Sequence, residues 1–517
     1  MTMATTLCNA FDPISSTTAV IIPRSPTLTI TYQRLYSDVL AFQHKLAALG
    51  ISAGAAVSIA LPNSYPFIVS FLAASWQRGI AAPLNPSYKQ SEFEFYIDDL
   101  SSSLVLVPQG QADGPAVKAA RKYNAAVAEV YLHPRTNEVV LDVKEKGKLE
   151  RRGNAPFERA QPEDTALVLH TSGTTGRPKA VPLSHRNLTR TIHNIKNTYK
   201  LSAEDRTMLI MPLFHVHGLL AAFLAPLSTG GSVIVPGAFS ASTFWKHFVE
   251  HKANWYTAVP TMHQILLKNK HLWPTPMPNI RFIRSCSSPL SPKVFHDLEA
   301  AFKAPVLEAY AMTEAAHQMT SNPYPPAKRK PGSVGLGQGV EVKILDQDGN
   351  EVAQGKEAEI CIKGSNVTKG YINNDKANRE SFTTDGFFRT GDQGKKDEDG
   401  YIIITGRIKE LINKGGEKIS PIELDNTLAQ HPAVSEAVSF AIPDDLYGQD
   451  VGFAVVPKDG ISLTEDEVKK WMSARVAKFK IPKRVFFTKI MPKTATGKIQ
   501  RRNVADAMMK EVPRAKL

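Results

Sequence analysis

The sequence predicts an α/β fold: a large N-terminal domain of helix-covered parallel sheets with a small β-rich subdomain, followed by an α+β C-terminal unit. Three observations lead there. Short β-branched runs alternate with helix-length patterns through most of the chain, the rhythm of parallel strands joined by helical crossovers. Beyond about residue 330, strand-like runs follow one another across turns without a long helix. From about Arg407 to the end, helical and strand textures mix again.

Taken in order, strands are expected over 56–60, 104–107, 165–170, 233–235, Trp255–Ala258 and Phe282–Ser285, with a helix over 67–78 after the first. In the β-rich part, strands over 340–345, 359–363 and 401–405 are set off by the turns Gln347-Asp348-Gly349 and Asp399-Gly400. The resulting division is an N-terminal domain over 1–406, with its β-rich subdomain over about 330–406, and a C-terminal domain over 407–517.

Composition excludes several classes. Apolar residues make up 43% of the 517 and charged residues 21%, so the chain is not a disordered polyelectrolyte. Three cysteines, Cys8, Cys286 and Cys361, make neither a disulfide framework nor a zinc pair. The charge-free stretch over 207–245 is broken by His215, His217, Pro226, Gly230, Gly231 and Pro236, which favours a buried helix followed by a strand over a membrane span. The first basic residue is Arg24, so no secretory signal is expected. The net charge of +13 is skewed: residues 468–517 hold fifteen basic and two acidic side chains, while the rest is balanced. A neutral body argues against a nucleic-acid-binding protein.

The strongest motif follows the strand over 165–170. Thr171-Ser172-Gly173-Thr174-Thr175-Gly176-Arg177-Pro178-Lys179 packs hydroxyls and glycines into a turn ending in a lysine. Glycines let backbone N–H groups approach phosphate oxygens, hydroxyls donate further bonds and Lys179 supplies charge. The Walker pattern is absent.

This string resembles the phosphate-loop signature of the adenylate-forming superfamily of acyl-CoA synthetases, luciferases and peptide-synthetase adenylation domains. Four further strings resemble that superfamily's motifs in order: Tyr310-Ala311-Met312-Thr313-Glu314, with Ala311 where relatives carry Gly; Arg389-Thr390-Gly391-Asp392; Gly406-Arg407-Ile408-Lys409-Glu410; and Pro492-Lys493-Thr494-Ala495-Thr496-Gly497-Lys498. The resemblance implies a two-step reaction. A carboxylate attacks the α-phosphorus of ATP to give an acyl-adenylate and pyrophosphate, and the thiol of CoA then displaces AMP. ATP and CoA are the implied co-substrates and Mg²⁺ the implied metal.

By the same resemblance, Lys498, Glu314 and Thr313 are catalytic, Lys498 bridging the carboxylate and the α-phosphate. Asp392 takes the ribose hydroxyls and Arg407 the nucleotide. Thr171, Ser172, Gly173, Thr174, Thr175, Gly176, Lys179, Ser288, Glu308, Ala309, Tyr310 and Thr313 complete the nucleotide site, with Glu314 and Thr174 toward Mg²⁺. Lys409 is the implied hinge of a mobile C-terminal cap, and Lys414, Gly415 and Gly416 belong to a loop that lines the CoA tunnel.

The acyl pocket is expected around His215, His217, Ser287, Ser288 and His317. Such a lining suits an alkyl chain poorly, because each unpaired buried polar group costs roughly 1–3 kcal/mol. A small dicarboxylate would pair these groups. The strings Phe214-His215-Val216-His217-Gly218, Ser285-Cys286-Ser287 and Met312-Thr313-Glu314-Ala315-Ala316-His317 resemble oxalyl-CoA synthetases, so oxalate is the expected acid. The alternatives are a medium-chain fatty acid or 4-coumarate-type CoA ligase and, outside the ligases, a luciferase-like monooxygenase. The residues Ala515-Lys516-Leu517 resemble a Ser-Lys-Leu peroxisomal address, which implies an import receptor as partner; the cytoplasm is the alternative location. No stable nucleic-acid or membrane partner is expected.

Overall fold

The computed structural model describes residues 4–171, 177–494 and 497–510. Ser172, Gly173, Thr174, Thr175 and Gly176 of the phosphate motif, Ala495 and Thr496 of the lysine motif, and Ala515-Lys516-Leu517 lie outside them.

Two largely parallel sheets form the body. One runs in the order Val139–Glu145, Ala126–Leu132, Leu104–Pro108, Ala56–Ile59, Ile80–Pro83, Thr165–Thr171 and Lys179–Ser184, antiparallel only at its two edges. The other places Phe282–Ser285 between Trp255–Ala258 and Val306–Met312, all three parallel, in a nine-stranded order. One apolar core runs through both sheets. The helix Tyr65–Trp76 is buried on every face, which is why its sequence shows no polar stripe. It starts two residues before the expected position because Ser64 accepts the Phe67 N–H and Pro66 suits the first turn.

The charge-free stretch folds as expected into a buried helical segment, His217–Leu224, and the strand Ser232–Ile234. The helical segment is π-type, and a Cβ on its Gly218 would lie 2.2 Å from the Pro212 carbonyl oxygen. Among the described residues no helix is long and apolar enough to cross a membrane.

The β-rich part is a four-stranded antiparallel sheet, Glu341–Leu345, Ala358–Lys363, Phe388–Lys396 and Ile402–Arg407. Its third strand was not foreseen, because Arg389-Thr390-Gly391-Asp392 is polar and glycine-containing where strands usually are not. After the turn Ile408–Glu410 the chain forms a five-stranded sheet with its own apolar cores.

The basic end is partly neutralised within that smaller domain. Lys469, Lys480, Lys483, Lys493 and Arg501 pair with Glu465, Glu423, Asp444, Glu436 and Asp425. These acids precede residue 468 in sequence, so the skew reflects chain order more than a cationic face. Residues 407–517 together hold 20 Lys/Arg against 14 Asp/Glu.

Candidate active site

The carboxyl ends of parallel strands deliver the site, the usual place for ligands in such sheets. Thr165–Thr171 ends at the phosphate motif, and Thr171 faces Lys179 across an antiparallel ladder. Phe282–Ser285 runs into Cys286, Ser287 and Ser288, and Val306–Met312 into the turn Thr313–Ala315.

Three motifs distant in sequence meet at Asp392. Register pairing sets Asp392 opposite Arg407, whose Nε donates to Oδ1 at 2.8 Å. Tyr310 Oη donates to Oδ2. The Thr390 hydroxyl accepts the Asp392 backbone N–H at 3.1 Å. Burial, then the Asp392 charge, hold the Tyr310 phenol well above its ordinary range. The result is a buried, oriented carboxylate with a guanidinium beside it.

A second node joins Glu314, Tyr371 and Lys179. Glu314 is buried, and its Oε1 accepts from Tyr371 Oη at 2.9 Å. Lys179 Nζ lies 4.5 Å from the centroid of the same tyrosine ring. Burial pushes the Glu314 carboxyl upward, opposed by its bonds and by the charges of Arg407 and Lys179. Thr313 stands on the same turn, partly exposed.

The residues expected around the acyl group lie close together, with Thr257 added to them. His217 Nδ1 lies 3.0 Å from Ser287 Oγ and Nε2 lies 2.6 Å from Thr257 Oγ1. His317 stacks on His217 at 5.3 Å, and neither ring nitrogen finds a hydrogen-bond partner among the described residues. His215 Nδ1 accepts the His217 backbone N–H at 3.2 Å. Burial pushes His215 down to about 3 and His217 and His317 well below the ordinary imidazole range. The rings are therefore neutral at physiological pH. Ser287 and His317 sit at φ +75° and +106°, backbone that non-glycine residues rarely adopt and that concentrates at functional sites.

Arg284 is the residue the sequence reading missed. It is fully buried against this cluster, with Nε 2.7 Å from Tyr199 Oη, Nη1 3.3 Å from Thr257 Oγ1 and 3.4 Å from His217 Nε2, and Nη2 3.2 Å from Gln318 Oε1. The signal was present: an arginine inside a strand read as buried is rare.

Other expected residues take less direct places. Glu308 Oε1 accepts the Leu290 N–H at 3.0 Å, and burial pushes its carboxyl up to about 8, so it braces the turn after Ser288. Ser288 Oγ donates to the Ser287 carbonyl, and Ala309 is buried in its strand.

The smaller domain contributes Lys498. Thr261 Oγ1 of the body donates to the Gly497 carbonyl at 2.9 Å, and Lys498 N–H donates to Thr494 Oγ1 at 3.1 Å. Gly497 has φ +78°, in the left-handed region, and an added Cβ would lie a tight 3.1 Å from Thr261 Oγ1, so a side chain there is strained. Burial, then the charge of Arg407, draw the Lys498 ammonium below its ordinary range, while Asp392 and Glu314 oppose this. Lys409 is exposed in the turn between the domains. Lys414 is held by Asp450 at 2.6 Å, and Gly415-Gly416 form a two-residue hairpin turn with φ +59° and +98°.

This fold and site place the chain in a known family. Residues 15–372 match the AMP-binding enzyme model and residues 423–498 its C-terminal domain model, and the chain belongs to that family. It is 46% identical to an oxalate–CoA ligase of Saccharomyces cerevisiae, over 99% of this chain and 98% of that protein. It is also 46% identical to an oxalate–CoA ligase of Arabidopsis thaliana, over 94% and 95%. Among solved structures it is similar to ATP-bound MatB from Rhodopseudomonas palustris, with a TM-score of 0.88, 29% identity and coverage of 98% and 99%.

Proposed function

We propose that this protein is an AMP-forming acid–CoA ligase that converts oxalate, ATP and CoA to oxalyl-CoA, AMP and pyrophosphate. The observation that carries the choice of acid is the polar cluster of His217, His317 and Ser287, which also feels the charge of Lys498. The 46% identity to oxalate–CoA ligases over nearly the whole chain supports the same reading.

One carboxylate oxygen of the acid attacks the α-phosphorus, and the bond to pyrophosphate breaks. Two anions approach, so preorganised positive charge lowers the barrier. Lys498 meets the reacting carboxylate and α-phosphate. Asp392 accepts from the ribose hydroxyls, held in place by Tyr310 and Arg407. Glu314 fits a hard divalent cation: it is a carboxylate, the oxygen donor Mg²⁺ takes, and Tyr371 fixes its orientation. Mg²⁺ would be held there, with Thr174 as the further candidate, and would neutralise phosphate charge. CoA thiolate then attacks the acyl carbon, and the carbon–oxygen bond to AMP breaks. We assign the domain boundary to 406/407 and the pivot between the half-reactions to Lys409, whose exposed turn can absorb a backbone rotation. The peroxisomal address at Ala515-Lys516-Leu517 is proposed from the sequence alone.

Pyrophosphate release across oxalate, malonate, acetate, octanoate and coumarate tests the reading. Oxalate is expected to give the highest kcat/KM. A preference for octanoate or coumarate contradicts it.

A further inference from the structure

Arg284 has no acidic partner among the described residues. Its contacts are two hydroxyls, an amide oxygen, an imidazole nitrogen and the Cys286 thiol, none of them a carboxylate. By contrast Arg281, three residues earlier, pairs with Asp205 at 2.9 Å. A guanidinium stays charged, and a buried charge is tolerated when it is paired or serves a site. No carboxylate among the described residues pairs with it, and the side chain lies against His217 and Thr257 of the expected acyl site.

The arginine also sets the hydrogen-bond direction above it. A guanidinium only donates: Arg284 Nη1 gives its proton to Thr257 Oγ1 at 3.3 Å and faces His217 Nε2 at 3.4 Å, and the Thr257 hydroxyl proton then points to Nε2, 2.6 Å away, so the lone pair of His217 lies on Nε2. His217 is neutral, so its proton is on Nδ1 and is donated to Ser287 Oγ. The Ser287 hydroxyl proton is thereby free to donate into the pocket. His317, stacked on His217 with both ring nitrogens unpartnered, adds a second donor. Arg284 brings positive charge, and Ser287 and His317 each have a proton to donate.

We propose that Arg284 is the specificity-determining positioning residue: acting through His217 and Ser287, its uncompensated charge makes the pocket require a second carboxylate on the acid. This rests on the proposed ligase function and names the feature by which that site selects its substrate. Lys498 faces the reacting carboxylate from the cap side, and Arg284 supplies the field for the distal one from the sheet. An acid with one negative charge satisfies only the first.

The test compares oxalate with oxamate, in which a carboxamide of nearly the same shape replaces one carboxylate. The variants are Arg284→Met, a buried apolar replacement that such sites commonly tolerate, and Arg284→Lys, which keeps the charge. In Arg284→Met, kcat/KM for oxalate is expected to fall on the order of a hundredfold or more, the scale for losing one partner of a buried charge pair. Oxamate is expected to change less than about tenfold and the KM for ATP to stay within about threefold, on the same scale. Arg284→Lys is expected to restore much of the oxalate-to-oxamate ratio. An equal fall for both acids, or no fall for oxalate, overturns the proposal. If Arg284→Met does not fold, Arg284→Lys decides: a collapsed ratio with the charge retained overturns it, and a preserved ratio supports it. Wild-type enzyme that activates no dicarboxylate refutes the proposed function and this inference together. Wild-type enzyme that prefers malonate refutes oxalate alone, and the same comparison is then made with malonate and its monoamide.

Discussion

Lys498→Ala separates the two half-reactions. Gly497 is clamped by Thr261 and Lys498 N–H by Thr494, which set the backbone, and the ammonium feels the charges of Arg407, Asp392 and Glu314. Removing the side chain leaves both backbone contacts intact, so the cap should still dock. What is lost is one desolvated charge facing an anion that develops in the transition state. Such contacts are worth roughly 10²–10³ in rate, or about 3–4 kcal/mol. Adenylation, measured by ATP–pyrophosphate exchange, is expected to slow by at least two orders of magnitude on this scale. Thioester formation from preformed acyl-adenylate and CoA is expected to stay within a few-fold. Thermal stability should not fall, because burial opposes the Lys498 charge in the folded state. Equal losses in both half-reactions, or less than a tenfold loss in adenylation, would refute the assignment.

His317→Ala is expected to raise the oxalate KM about tenfold or more, the scale of a lost buried hydrogen bond, while ATP binding measured by calorimetry is unchanged. Thr261→Val removes the clamp on Gly497 and is expected to slow adenylation several-fold without changing the thioester step. Glu308→Gln keeps the acceptor for Leu290 but removes a carboxyl pushed up to about 8. The wild-type protein loses stability as pH rises from the unfolded value through 8, so the variant should be more stable by ~2 kcal/mol or more in urea melts near pH 8. Acid acts in the opposite direction at His185, which burial pushes down to about 4. Its stabilising contribution is complete above about pH 6.5 and falls as pH drops toward 4, by ~3 kcal/mol, visible as a falling denaturation midpoint.

The fold was legible where residue type alone decides. Trp255–Ala258 is aromatic or β-branched at three of four positions and Phe282–Ser285 opens on Phe-Ile, and both appear at the expected residues. Phe388–Lys396 was not, because its buried face, Phe388, Thr390, Asp392 and Gly394, is itself mostly polar or glycine and so lacks the apolar alternation of a strand. The residues expected at the nucleotide were legible as motifs, but their mutual geometry was not. Nothing in the spacing says that Tyr310 and Arg407 grip the two oxygens of one carboxylate. The charge skew of the last fifty residues misled as a surface property, since pairing depends on where the acids of 410–467 fold back. Arg284 went unread because a strand pattern records burial and is silent about what a buried cation faces.

The most direct test of the central claim uses oxalate labelled in its carboxylate oxygens, with ATP and CoA. Attack on the α-phosphorus followed by thiolysis leaves one acid oxygen on the nucleotide. The account predicts one labelled oxygen in AMP together with labelled oxalyl-CoA, both read by mass spectrometry. Unlabelled AMP, or release of ADP and phosphate in place of AMP and pyrophosphate, would contradict it.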